Sequence, residues 1–335
     1  MKGANYESRI NSSFHLYKIL SIIDSIFYNE SAVLQMFYDE AVKVIDSIEG
    51  YDFGFIFIND GSKDNTLDIM KSLAEKDERV KYISFSRNFG KESAMYAGLK
   101  NSSGDYAVLL DADLQHPPAL IPKMLEAMEE GYDCCATNRA SRDGDPPLRT
   151  WFTRKFYKLI NKISEVDMPD GAGDFRMMSR NMINAILAMS EVQRFSKGIF
   201  SWVGFDTKWI SFYDVERAAG ETKWSFWSLF KYAINGITAF STAPLKIATL
   251  VGSVVSTCSF IYFIGVVVKT LISGKSVPGY ASLLAIMLFL CGFIILCCGI
   301  LGEYIGKMYM EVKNRPIYII GKTNIKDPKH DYGRR

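Results

Sequence analysis

The sequence predicts an α/β domain on a mostly parallel sheet, followed by a two-helix hairpin in a membrane. Three observations carry that expectation. Short apolar runs alternate with helix-period stretches up to about residue 135. Three of the runs close on polar or acidic triplets and turns, YNE, NDGS and DAD. Near the C-terminus, two uncharged apolar stretches each exceed the roughly 20 residues that span a bilayer.

Taken in order, YKILSIIDSIF is the first strand, with Asp24 interrupting its apolar run, and SAVLQMFYDEAVKVIDSI is the first helix. FGFIFIND is the second strand, and Asp64 is the expected N-cap of the helix TLDIMKSLAEK. VKYISFS and KESAMYAGLKN repeat the unit, and DYAVLLDAD supplies a fourth strand. In such sheets ligands bind beyond the carboxyl ends of the strands. From about 136 the character changes. Residues 150–163 and 223–240 read as helices with aromatic faces and basic flanks, fitted either to a lipid interface or to packing on the sheet. The charge-free runs give membrane helices at about 247–268 and 277–301. Their short link makes a hairpin with both outer ends on one side, and Lys307, Lys313 and Arg315 place that side in the cytoplasm.

Composition sets limits. With 48% apolar residues and a net charge of +2, the chain has material for a core and no general affinity for nucleic acid. The six cysteines form no metal-binding spacing and read as reduced, mostly buried hydrophobes. The N-terminus carries no apolar core of a cleavable signal. Neither the P-loop pattern nor G-x-G-x-x-G occurs, which removes support for ATPase and nicotinamide chemistry.

The chemistry-bearing candidates lie at the strand ends. Asp60 closes the second strand at a Gly-Ser turn, and Arg87 and Lys91 flank Gly90 ahead of a helix N-terminus, an arrangement suited to a charged ligand. Asp111 and Asp113 end the fourth strand as an acid/base pair, a metal clamp or the start of a turn. Two hard oxygen donors beside a cleft favour Mg²⁺ or Mn²⁺ with substrate phosphates completing the shell.

The ordered set FINDGSKDNT, SFSRNFGKESAMYAGL, DADLQHPP, GDFRMMSR and AGETKWSFWSLFKYAINGITAFSTAPLKI resembles the family 2 glycosyltransferases that act on polyprenyl phosphates. The bacterial undecaprenyl-phosphate (bactoprenol) glycosyltransferases are nearer than dolichol-phosphate mannose synthase, because they share the anchor and a tail like GEYIGKMYMEVKNRPIY. The likeness runs from Ile19 to Ile320. It implies a nucleotide-diphospho-sugar transferase (GT-A, Rossmann-like) domain over 19–213 after a polar extension of 1–18. Interfacial helices would follow over 214–245, the hairpin over 246–305 and a cytoplasmic tail over 306–335.

By the same resemblance, Tyr28 and Glu30 line the nucleotide base and Asp60 reads base or ribose. Asp111 and Asp113 bind the metal and the donor, with Gln115 as a further metal contact. Asp174 faces sugar and acceptor with Arg176 beside it, and Arg139, Arg142, Arg217 and Lys223 grip the lipid phosphate. Ile26 stands where the family has a proline before YNE. The implied reaction is inverting, metal-dependent transfer of a hexose from a nucleotide sugar to the phosphate of a membrane polyprenol. A flippase and a downstream glycosyltransferase are the implied partners, and small residues in the hairpin leave room for self-association. A processive polysaccharide synthase would carry Q-x-x-R-W, where this chain has QRFSKG. An inactive sugar-nucleotide sensor would bind donor without transfer.

Overall fold

The computed structural model describes residues 18–27, 30–111, 117–139, 161, 172–189, 191–212, 237–239, 241–273 and 279–331. The alternation expected from sequence is there: β1 (Lys18–Phe27), α1 (Ser31–Ile45), β2 (Tyr51–Asn59), α2 (Thr66–Lys76), β3 (Val80–Phe85), α3 (Lys91–Asn101) and β4 (Tyr106–Leu110). After them come α4 (Ile121–Glu129), β5 (Cys134–Arg139), β6 (Ala172–Ser179), α5 (Arg180–Ala188), α6 (Ser196–Trp202) and β7 (Thr207–Phe212). Two long helices, α7 (Ala243–Ser273) and α8 (Tyr280–Val312), precede a last strand, β8 (Ile320–Thr323). The helices expected at 150–163 and 223–240 lie outside the described residues, apart from Asn161 and 237–239.

The sheet order is β7-β5-β6-β4-β1-β2-β3-β8. β3, β2, β1 and β4 run parallel, as do β5 and β7, whereas β6 is antiparallel to both β4 and β5, and β8 to β3. β1 is central, and its apolar run fits a strand covered on both faces. Alternation sorts each strand between two cores. Leu20, Ile22, Phe55, Phe57, Val108, Leu110, Phe175 and Met177 pack with α1, α2 and α4. Ile23, Ile56, Ile58, Ala107, Leu109 and Met178 pack with α3, α5 and α6. The β1–β2 register shifts between Asp24 and Phe27, so β1 has a bulge spanning Ile26, the position where the resemblance breaks.

Two expectations need correcting. Asp64 is not the N-cap of α2, a place held by Asn65 without a side-chain bond. Its carboxylate accepts from Thr66 N and Oγ1 at 3.2 and 2.6 Å and reaches Ser31 N at the start of α1 at 3.3 Å, so it joins two helices. The segment expected as a tail is also folded. α8 continues to Val312, and the chain then returns to the sheet as edge strand β8. Tyr318, 1% exposed, stacks on Phe85 with ring centroids 5.2 Å apart, while Asn324 bonds both Tyr82 N and Val80 O.

The two long helices are unlike the rest. Apolar side chains such as Leu271 (80% exposed), Ile272 (80%) and Ile295 (72%) stand outside any protein core. Helices this apolar with no protein cover mark membrane association. Tyr318→Ala is expected to destabilise the α/β domain by about 3–5 kcal/mol and to release β8, visible as a lower unfolding temperature and faster proteolysis after Val312.

Candidate active site

The alternation that sorts the core continues past the strand ends and collects three acids on the α3 side of the sheet. Asp60 follows Ile56 and Ile58, Asp111 follows Ala107 and Leu109, and Asp174 precedes Arg176 and Met178. β4 and β6 pair Leu109 with Arg176. Continued two residues past the end of the ladder, this register brings Asp111 and Asp174 toward one another. Like charges directly across a ladder repel. Lys91, the first residue of α3, lies between them, with Nζ 2.9 Å from Asp111 Oδ2 and 2.7 Å from Asp174 Oδ2.

Electrostatics follow from that placement. Burial alone pushes the Asp174 carboxyl up, but Lys91, then Lys197 and Arg176, outweigh it and hold the group well below the usual carboxylate range. Burial would likewise lower the Lys91 ammonium, yet its two carboxylate partners raise it above the ordinary lysine value. Arg176 stands behind this cluster rather than in the open cleft. It is 4% exposed, its guanidinium lies 3.9 Å from the Phe200 ring centroid, and Nη2 donates to Gly173 O at 2.8 Å. Its Nε has no partner among the described residues, and burial lowers its pKa.

The loops that present Lys91 are fixed by the second strand. Asp60 is 2% exposed, and its two carboxylate oxygens accept from Phe89 N at 2.6 Å and Gly90 N at 2.9 Å. Burial raises the Asp60 carboxyl in spite of these bonds. Gly61 takes φ +69°, and a Cβ there would stand 2.5 Å from Arg87 C, so only glycine lets the two loops touch. Asn59 adds Nδ2 to Ser84 Oγ at 2.9 Å and accepts from Ser62 N at 3.1 Å. Arg87 turns back on its own loop, 4.0 Å above the Phe89 ring.

Of the sequence-predicted residues, the structure therefore brings together Lys91, Asp111 and Asp174, with Arg176 behind them and Asp60 holding the loop. Glu30 begins α1 beyond the carboxyl end of β1, and Arg139 is the last residue of β5. Tyr28, Asp113, Gln115, Arg142, Arg217 and Lys223 lie outside the described residues. Among the described residues, no three His, Cys, Asp or Glu side chains gather as a metal site. Lys91 bonds Asp111 through Oδ2, and the carboxylate is a hard oxygen donor of the kind a divalent cation takes.

One acid was not foreseen. Glu92, next to Lys91, accepts from Ser196 N at 2.9 Å and from Ser196 Oγ. Burial drives its carboxyl up, against the Ser196 bonds, to about 7. It lines a cavity of about 530 Å³, shared by Phe89, Ser93, residues 192–195 and the α8 residues Gly302, Glu303, Gly306 and Lys307. Nothing in the K-E-S spacing marks Glu92, because its partner lies about a hundred residues away.

The mixed sheet thus gathers a lysine and two acids beyond the end of β4 and along β6, on the face covered by α3 and α6. The family model "Glycosyl transferase family 2" matches residues 25–187, and "GtrB C-terminal hairpin" matches 243–308. The putative glycosyltransferase CsbB of Bacillus subtilis is 46% identical, over 89% of this chain and 90% of its own length. The SfII prophage-derived bactoprenol glucosyl transferase of Shigella flexneri is 42% identical, over 92% of this chain and 99% of its own length. The prophage bactoprenol glucosyl transferase homolog of Escherichia coli K12 is 43% identical, over 91% and 99%. The chain belongs to glycosyltransferase family 2 and is a glycosyltransferase with a GtrB-type hairpin.

Lys91→Met removes the largest of the charges that hold the Asp174 carboxyl down, so that carboxyl rises from its depressed position while Lys197 and Arg176 still act on it. In the wild type the depressed Asp174 carboxyl stabilises the fold above its unfolded value of 3.8, and that stability is lost as pH falls further. In the variant the depression is smaller, so the Asp174 contribution above pH 3.8 shrinks and its loss on acidification is complete at a higher pH than in the wild type. Thermal unfolding across pH distinguishes the two profiles.

Proposed function

We propose that this chain transfers a hexose, glucose from UDP-glucose, to undecaprenyl phosphate at the cytoplasmic face of the membrane. The observation that carries the reading is a juxtaposition: the Lys91–Asp111–Asp174 cluster begins α3, and the cavity beside α3 is walled by α8. Two of the relatives above are named for bactoprenol glucosyl transfer and align over nearly their whole length, which supports the acceptor and the sugar. The product would supply a lipid-linked sugar for cell-surface glycan modification, after movement across the membrane by a separate flippase.

The attacking group is a phosphate oxygen, already anionic at neutral pH, so no general base is required. Positioning and charge stabilisation carry the reaction instead. Tyr28, Glu30, Asp60 and Arg87 would line the nucleotide, with the Asp60-held loop setting its floor. Lys91 holds the Asp174 carboxyl ionised, bonds Asp111 and adds positive charge where the diphosphate departs. Asp174 would orient the acceptor and steady positive charge on the sugar, and Arg176 fixes its backbone through Gly173 O. Arg139, Arg142, Arg217 and Lys223 would hold the lipid phosphate. Asp111, Asp113 and Gln115 would hold Mg²⁺ or Mn²⁺, which supplies Lewis-acid neutralisation of the leaving diphosphate when bound. Direct displacement inverts the anomeric centre.

In this reading α7 and α8 cross the membrane as a hairpin, with the catalytic domain and both termini in the cytoplasm. The test incubates full-length protein with undecaprenyl phosphate, Mg²⁺ or Mn²⁺ and a panel of labelled sugar nucleotides. A glucosylated lipid from UDP-glucose is expected; no lipid product from any donor would sink the reading. Asp113→Ala is expected to abolish turnover, and near-normal rates would remove the metal assignment.

A further inference from the structure

Residues 192–196 form a strap between α5 and α6, and carboxylates from two distant elements grip its main chain. At one end, Glu311 on α8 accepts from Val192 N at 2.7 Å and Gln193 N at 3.1 Å. At the other, Glu92 on α3 accepts from Ser196 N at 2.9 Å and Ser196 Oγ. Between them Arg194, 9% exposed, donates to Met189 O and Ile186 O and lies over Tyr96. The residue after the strap is Lys197, whose charge acts on Asp174; the residue before Glu92 is Lys91, which bonds Asp174.

We propose that Glu92 is a positioning residue for sugar transfer: with Glu311, it fixes the strap that sets Lys197 against Asp174, and so registers the membrane helix with the reacting centre. Carboxylates accepting main-chain amides are strong, directional anchors. Here they join three elements that no covalent proximity joins. α3 delivers Lys91 to one side of Asp174 and α6 delivers Lys197. Glu92 is the bond between those two helix starts. Glu311 extends the same unit to α8, whose position follows the bilayer. The acceptor arrives from the bilayer, so the distance from lipid phosphate to Asp174 is set through this strap. Glu92 itself need touch neither donor nor acceptor. The ionisable groups around it are Lys91 on its own helix, Asp174 from β6, Arg194 in the strap, and Glu303 and Lys307 from α8.

The role in transfer rests on the function proposed above, while the strap itself does not. Full-length protein in vesicles containing undecaprenyl phosphate, with UDP-glucose as donor, gives kcat and KM for Glu92→Ala and Glu92→Gln. Glu92→Ala is expected to lower kcat about tenfold or more and to leave the UDP dissociation constant within about twofold. Glu92→Gln, whose amide oxygen still accepts from Ser196, retains most of the rate. Hydrogen exchange at residues 192–197 rises in Glu92→Ala and Glu311→Ala and stays low in the glutamine variants. Ser196→Ala, which keeps the amide and loses the hydroxyl, gives an intermediate loss and covers the case in which Glu92→Ala does not fold. Wild-type kcat and unchanged exchange in Glu92→Ala would overturn the proposal, as would a Glu92→Gln variant as slow as Glu92→Ala. If the wild type transferred no sugar at all, the proposed function would fail, while the exchange pattern would still report on the strap.

Discussion

The site depends on one ammonium between two carboxylates. Antiparallel pairing of β6 with β4 brings Asp174 toward Asp111, an arrangement that repels unless a cation intervenes. Lys91 supplies it at 2.9 and 2.7 Å. Much of the surrounding structure serves to deliver that side chain. α3 starts at Lys91 because Gly90 turns the chain at φ +92°, and Gly90 is held by Asp60 through its amide. Asp60 reaches that amide because Gly61 lets the loop after β2 touch the loop after β3. The order of dependence runs from a glycine to a buried acid, to a loop, to a lysine, to the reacting pair. A change at Gly61 therefore acts on charge balance at Asp174 without touching it.

The parallel half of the sheet was legible because it obeys local rules. Each of β1 to β4 is a run of β-branched and aromatic residues, and α1 to α3 show apolar faces at helical spacing. β5, β6 and β7 carry no such pattern. CCATNR, AGDFRMMS and TKWISF mix polar and apolar residues, and their pairing depends on partners far along the chain. β8 is four residues on an edge, IGKT, with no pattern to find. The site divided in the same way. Asp60, Lys91 and Asp111 stand at ends of readable strands, whereas Asp174 was reached only through family resemblance. Glu92 and Glu311 bond main-chain amides far along the chain, and amides are the same in every residue, so such partners leave no trace in sequence.

Arg176 stands beside Asp174 in a different manner from Lys91. Strand alternation keeps it on the same face as Asp174 but under Phe200, where, 4% exposed, it meets Gly173 O, Cys134 and an aromatic face. A buried guanidinium that loses part of its hydrogen bonding is destabilising. Its retention beside Asp174 is intelligible as electrostatics: it is one of three cations that keep that carboxyl ionised.

The membrane helices set a geometric limit on all of this. α8 has 33 residues, about 50 Å at 1.5 Å per residue, against a hydrocarbon core of about 30 Å. If α8 crosses as proposed, several turns emerge, and the charges Glu303, Lys307 and Glu311 begin where the apolar run ends. Those turns do not end in solvent. Tyr304 donates to Ser241 O at 2.6 Å, Lys307 bonds Thr238, Glu311 takes the strap, and the chain then enters the sheet as β8. A helix fixed to the domain at its base and again through the following strand cannot pivot freely. Under the proposed membrane crossing, a domain mounted this way would hold its cleft at one height above the bilayer, which suits the proposed acceptor, whose phosphate is confined to that surface.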